Sequence, residues 1–203
     1  MLKNRWTYRI FFAACLLPLA YLAWKWGQIR INRLEYVARY TGDWTIRFLI
    51  ASLAITPLRR IPALNGLILY RKSLGLFAFF YGLLHGLHYY QIDVQWDWAI
   101  MKEDLTIRRF FIAGMASLVL MLPLALTSTN WAIRKMGGKR WQALHRLAYL
   151  AGIAGVTHYI WQGKSINYDP LIYAVLLAAL LGARVVFYFQ KREKRARTMT
   201  TVG

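Results

Sequence analysis

Six apolar runs of sixteen to twenty residues, at about 8–26, 44–59, 73–92, 110–129, 143–162 and 171–189, leave this chain few folds to choose from. A helical run of that length covers most or all of the hydrocarbon of a bilayer, about 30 Å thick. Inside lipid the backbone has no water to bond to, so each run satisfies its own N–H and C=O groups as a helix. The rest of the sequence does not dilute this reading: 58% of residues are hydrophobic, 9 Trp, 13 Tyr and 10 Phe are present, and the mean hydropathy is +0.32. The expected fold is therefore an all-α, polytopic membrane protein with six transmembrane helices and both termini cytoplasmic. Residues 1–190 are expected to form one six-helix transmembrane domain, and 191–203 a basic cytoplasmic tail, frayed on the lipid surface.

The orientation follows from charge. A net charge of +19 would point to nucleic acid in a soluble protein, but in so apolar a chain it reads as topology, with membrane lipid and no nucleic acid as the partner. Taking alternate segments, the N-terminus, the 59–72 and 130–146 loops and the C-terminal end from Arg184 hold 18 Lys and Arg, and the other side holds 9. By the positive-inside rule the richer side is cytoplasmic. Seven of the eight acidic residues fall on the outer side, in keeping with that orientation. The single cysteine, Cys15, excludes an internal disulfide and a zinc framework. The first apolar run lacks a small-residue cleavage site and is followed by further spans, so a signal peptide is not expected. There is no internal repeat, and neither G-x-G-x-x-G nor G-x-x-x-x-G-K-[ST] occurs, so no nucleotide-binding domain is expected.

Chemistry enters with the histidines. Residues 141–162, WQALHRLAYLAGIAGVTHYIWQ, carry His145 near one end and His158 near the other; on one continuous helix they would lie ~20 Å apart along the axis and about 140° apart around it. Residues 71–92 carry His85, thirteen after Lys72, just as His158 comes twelve after Arg146. If those two cations mark the same membrane face, His85 and His158 reach nearly equal depth on two helices running in the same direction. A lone intramembrane histidine is more often hydrogen-bonded to a neighbouring helix, but two at one depth could clamp a metal between them. Two imidazoles suit iron, and as axial ligands of a haem they make a low-spin centre that passes electrons. Without C-x-x-C-H such a haem is non-covalent, a b-type haem. His88, three residues after His85, shares its helix face and is a candidate second-shell or propionate partner. Gly152 and Gly155 would let the helix bend or approach a haem closely.

Arg47 and Arg184 lie inside apolar runs near their ends. Snorkelling explains both; the sharper reading has each guanidinium holding an anion such as a haem propionate or a flavin phosphate. His145, beside Arg146 at the cytoplasmic interface, is a candidate ligand of an inner haem, or the wall of a flavin or quinone pocket with Trp141, Arg134, Lys139 and Arg140. On the outer side, residues 91–107 mix Trp96 and Trp98 with Asp93, Asp97, Glu103 and Asp104, a composition suited to a charge-steered docking surface or to an interfacial aromatic belt.

The run Thr41-Gly42-x-Trp44, Ile55-Thr56-Pro57, Arg71-x-x-Leu74-Gly75-Leu76 followed by His85, Leu126-Thr127-Ser128, and Gly138-Lys139-x-Trp141-Gln142-x-Leu144-His145 with Tyr149 and His158-Tyr159 resembles the MsrQ family. Its members are the haem-binding membrane subunits of a periplasmic methionine sulfoxide reductase system, within the wider ferric-reductase-like transmembrane group. The resemblance covers residues from about 36 to 190. It implies six helices, heme b with His85, His145 and His158 as the haem-associated histidines, and FMN as a further cofactor. It also implies a multi-pass protein of the bacterial inner membrane that hands electrons to a separate periplasmic molybdopterin methionine sulfoxide reductase, with quinone or a cytoplasmic flavin reductase as donor. The oxidase members of the wider group place two histidines on each of two helices; here Arg71 stands where the inner one would fall.

An electron-transfer subunit, rather than the catalytic subunit of its system, is thus the expected function. The competing reading is a transmembrane ferric or oxygen reductase acting with a separate flavin reductase, since a chain ending 14 residues after its last helix is expected to carry no flavin and nicotinamide domain of its own. A proton-relaying transporter would place acids deep in the spans, and all eight lie in loops or at ends.

Overall fold

The computed structural model describes residues 5–163 and 168–200. They form nine α-helices and one short 3₁₀ segment, with no strand among them: α1 (Arg5–Trp26), α2 (Arg33–Leu58), the 3₁₀ segment Pro62–Leu67, α3 (Ile68–Ile92), α4 (Trp98–Ile107), α5 (Arg109–Leu126), α6 (Asn130–Met136), α7 (Gly138–Leu144), α8 (Leu147–Gln162) and α9 (Asp169–Thr200). Four stretches are long and apolar enough to cross a membrane: Arg5–Trp26, Pro62–Ile92, Arg109–Leu126 and Asp169–Gln190. The other two expected spans, in α2 and α8, are helical but fall short of that measure, α2 because Asp43 and Arg47 dilute it and α8 because it has only 16 residues. Both are central. α2 packs along α3, α8 along α5, and the two pairs meet through α3 with α5 and α2 with α8. α9 covers α2 and α8, while α1 lies against α2 and α3. A helix enclosed by others can carry polar groups that a lipid-facing helix cannot.

The core is made by close approach. Tyr81 and Ala78 on α3, Ala151 on α8 and Leu53 on α2 are essentially inaccessible. Glycines set the spacing: a methyl at Gly82 would meet Thr45 Cγ2 at 3.2 Å, one at Gly155 would meet Ser117 Oγ at 3.2 Å, and one at Gly152 would meet Leu177 at 3.2 Å. Small residues at such crossings let helix backbones pack where lipid offers no hydrophobic gain. Gly152 and Gly155 thus seat α8 against α2, α5 and α9. Polar ties add direction. Ser117 Oγ donates to the Ala151 carbonyl at 2.9 Å, and Tyr81 Oη to that of Cys15 at 3.0 Å. Outward, α1 and α9 present Trp6, Ile10, Leu17, Val175, Val185 and Tyr188, an apolar surface for lipid.

Four local differences from the sequence reading have physical causes. α2 starts at Arg33, eleven residues before the apolar run at 44, because Glu35 favours the first turn and pairs with Arg39 at 3.1 Å. The continuous helix expected over 143–162 is broken at His145–Arg146, where i→i+3 bonds replace the helical ladder: Arg146 N–H to Ala143, and Tyr149 N–H to Arg146. The loop 130–140 folds into α6 and α7 around Gly137, whose φ of 76° favours glycine. The basic C-terminal run, expected to fray, continues α9 to Thr200, since Lys, Arg, Glu and Gln are good helix formers.

Candidate functional site

His85 on α3 and His158 on α8 face one another, with ring centres 6.0 Å apart and planes 74° apart. The His85 Nδ1 lies 2.9 Å from the Ala38 carbonyl oxygen on α2, and the His158 Nδ1 lies 2.7 Å from that of Phe110 on α5. A carbonyl can only accept, so each Nδ1 carries the proton and each Nε2 keeps its lone pair. An imidazole N–H left without a partner away from water costs about 1–3 kcal/mol, so these bonds stabilise the rings as well as orienting them. A metal between two imidazoles needs two metal–nitrogen bonds of about 2 Å plus half a ring on each side, about 6 Å between ring centres. The observed separation fits.

His88 does not join the pair. Its Nε2 lies 2.9 Å from the Leu34 carbonyl, near the start of α2. Nor does His145, which caps α7 and stacks on Trp141 with ring centres 3.8 Å apart. Its Nε2 lies 3.1 Å from Thr127 Oγ1. That hydroxyl already donates to the Pro123 carbonyl at 2.6 Å, so His145 must supply the proton, and its free lone pair is on Nδ1. Trp141 Nε1 donates to the Thr127 carbonyl at 2.9 Å, tying the same corner to the end of α5.

The two arginines divide. Arg47 is provided for: Nε donates to Tyr173 Oη at 3.1 Å, Asp43 stands 3.9 Å away, and the guanidinium lies 5.0 Å from the centre of the Trp44 ring. Arg184 is not. Its guanidinium lies over Tyr149 at 4.5 Å and donates one Nη2–H to the Leu53 carbonyl at 2.6 Å, while buried Nε and Nη1 have no hydrogen-bond partner among the described residues. Two orphaned donors on a cation suit an anionic group.

In the segment 91–107, Asp104 is 5% exposed, accepting from Tyr89 Oη and paired with Arg108 Nε at 2.9 Å. Asp97 caps α4, accepting from Ala99 N–H at 2.7 Å. Of the four acids expected to rim a docking surface, Asp104 is structural and Asp97 has a cap to maintain. Sequence reading missed the partner carbonyls of Ala38 and Phe110, because a backbone oxygen leaves no mark on residue identity.

The family description "Ferric reductase like transmembrane component" matches residues 10–156. A relative from Herminiimonas arsenicoxydans, named protein-methionine-sulfoxide reductase heme-binding subunit MsrQ, is 45% identical over 187 residues, covering 90% of this chain and 86% of its own. Proteins of the same name from Polaromonas naphthalenivorans and Ralstonia nicotianae are 43% identical over 96% of this chain and 90% of theirs, and 49% identical over 76% and 72%. No solved structure matches. The resemblance drawn from the motifs is thus borne out by identity running through the histidine-bearing helices and beyond, and the chain belongs to the ferric-reductase-like transmembrane family and, within it, to the MsrQ family.

Proposed function

We infer that this protein is a b-type haem electron-transfer subunit in which His85 and His158 would hold the haem iron. The observation that carries the reading is the facing imidazole pair, 6.0 Å apart, with both Nδ1 atoms committed to carbonyls and both Nε2 lone pairs free. No group of three or more His, Cys, Asp or Glu could cage a bare ion among the described residues, whereas a porphyrin brings four nitrogens of its own. A haem held there supplies one-electron transfer at a low-spin iron. The chain's residues would hold it and fix the imidazole tautomers. Relatives are named as haem-binding subunits of protein-methionine-sulfoxide reductase, which supports a periplasmic reductase of that kind, carrying molybdopterin, as the electron acceptor. Six inner-membrane spans with cytoplasmic termini place the pair toward the outer face and the His145 corner toward the cytoplasm. There Trp141, His145, Tyr149 and Arg184 suit the uptake of electrons from quinone, or from a flavin reductase through FMN whose phosphate Arg184 would bind. His145 acts in that reading as pocket wall rather than as a ligand through Nε2, which is already engaged by Thr127.

Absorption spectra test it. The detergent-purified protein is expected to show a sharp Soret band with split visible bands on dithionite reduction. His85→Ala or His158→Ala removes most of the low-spin signal, and His88→Ala retains it. A colourless wild type, or a haem lost with His88→Ala and kept with His85→Ala, overturns the assignment. Rapid reoxidation of the reduced protein by a ferric chelate or oxygen, with no effect of the periplasmic partner, would favour a ferric or oxygen reductase instead.

A further inference from the structure

The two histidines reach their carbonyls in the same way. In α2 the accepting carbonyl is that of Ala38 and the residue one turn on is Gly42; in α5 it is that of Phe110 and the residue one turn on is Gly114. A helical carbonyl is normally shielded by the side chain of the residue four positions later, and here that side chain is a hydrogen. The imidazoles occupy the gap. A methyl built on Gly42 would lie 3.3 Å from His85 Cε1 and 3.4 Å from its Nδ1, whereas one on Gly114 would lie 2.7 Å from His158 Nδ1 and 2.9 Å from its Cε1. The separations along the chain also match, 47 residues from Ala38 to His85 and 48 from Phe110 to His158. The helix pairs α2 with α3 and α5 with α8 therefore repeat one device on opposite sides of the pair, although their sequences share no visible repeat.

We propose that Gly42 and Gly114 are positioning residues for the haem ligands, each opening a helix surface so that an imidazole Nδ1–H bonds the carbonyl one turn earlier and presents Nε2 to the iron. The inference rests on the ligand assignment above. The bond also has an electronic consequence. A donor hydrogen bond from Nδ1 makes the ligating nitrogen more electron-rich, which favours ferric over ferrous iron and lowers the midpoint potential. A methyl that pushes the ring off its carbonyl weakens that bond and raises the potential. The clash at Gly114 lies below any ordinary contact, against a ring tied to the Phe110 carbonyl of the same helix, whereas that at Gly42 is relieved by a shift of a few tenths of an ångström.

The test compares Gly42→Ala, Gly114→Ala and wild type in detergent by haem titration, potentiometry and electron paramagnetic resonance. Gly114→Ala is expected to lose about 10- to 100-fold in haem affinity, the usual cost of removing an outer-shell partner. Gly42→Ala is expected to keep its haem with altered low-spin g values and a midpoint potential raised above wild type. Alanine is the better helix former, so neither effect can be put down to helix propensity. A glycine serving helix packing alone would change thermal stability of the haem-free protein and leave the potential and g values of retained haem untouched. Should Gly114→Ala fail to fold, Gly42→Ala carries the test through its potential. Wild-type affinity, potential and g values in both variants, or a larger effect at Gly42 than at Gly114, overturns the inference while His85→Ala and His158→Ala continue to report on the ligand assignment.

Discussion

At the scale of single residues, neighbours decide whether a charge inside an apolar run is structural or binds something. Arg47 and Arg184 look alike in the sequence, each a cation near the end of an apolar run. Arg47 donates from Nε to Tyr173, faces Asp43 as an ion pair at 3.9 Å and is half exposed, so its charge is met within the protein and by solvent. Arg184 keeps two buried donors without partners among the described residues, beside Tyr149. A hydrogen bond to a charged group contributes about 1.5–3 kcal/mol, or roughly 10- to 100-fold in affinity. With FMN as the proposed anion at this corner, Arg184→Gln is expected to weaken its retention by about that factor and leave the low-spin haem spectrum intact, read by flavin fluorescence after gel filtration. Flavin retained at the wild-type level would assign the guanidinium to structure alone.

Among the elements, α4 shows how an apparent loop is made rigid. Asp97 caps its first turn, and near its end Asp104 joins Tyr89 on α3 to Arg108. Arg108 is half exposed, which screens the pair, but the carboxylate is buried and could not be left without partners cheaply. Removing a hydrogen-bonding partner from a buried group costs about 1–3 kcal/mol. Asp104→Ala is expected to release α4, seen as faster proteolysis within residues 95–107 with the haem retained. Unchanged cleavage would show that α4 is held by its apolar contacts. The break between α7 and α8 works differently: it turns His145 out of the helix that carries His158, so their separation around an ideal helix has no meaning in the folded protein.

For the molecule as a whole, the proposed topology sets the His85–His158 pair and the Arg184 corner at opposite ends of the bundle, and in that reading a periplasmic partner would dock on the outer loops. With Asp104 buried and Asp97 capping, Asp93 and Glu103 are the exposed acids of that segment not committed to α4, beside exposed Trp96 and Trp98. Reoxidation of the reduced protein by the periplasmic reductase with methionine sulfoxide is expected to slow as salt rises and to slow several-fold in Asp93→Asn with Glu103→Gln, as charge-steered association does. Reoxidation indifferent to salt and to both substitutions would move the interface elsewhere.

Linear apolarity was enough to establish a helical membrane protein and to bring His85 and His158 to one depth, because rise per residue and bilayer thickness are fixed quantities that need no knowledge of neighbours. The motif around Trp141 and His145 was enough to point to the family. What only the tertiary structure decided were pairings between residues far apart in the chain: His85 with Ala38, His158 with Phe110, Arg184 with Leu53, and Asp104 within reach of Tyr89. Each depends on how closely two helices approach and on which backbone oxygen lies uncovered there. Gly42 and Gly114 were visible as letters, but a missing methyl acquires meaning only when an imidazole from another helix fills its place.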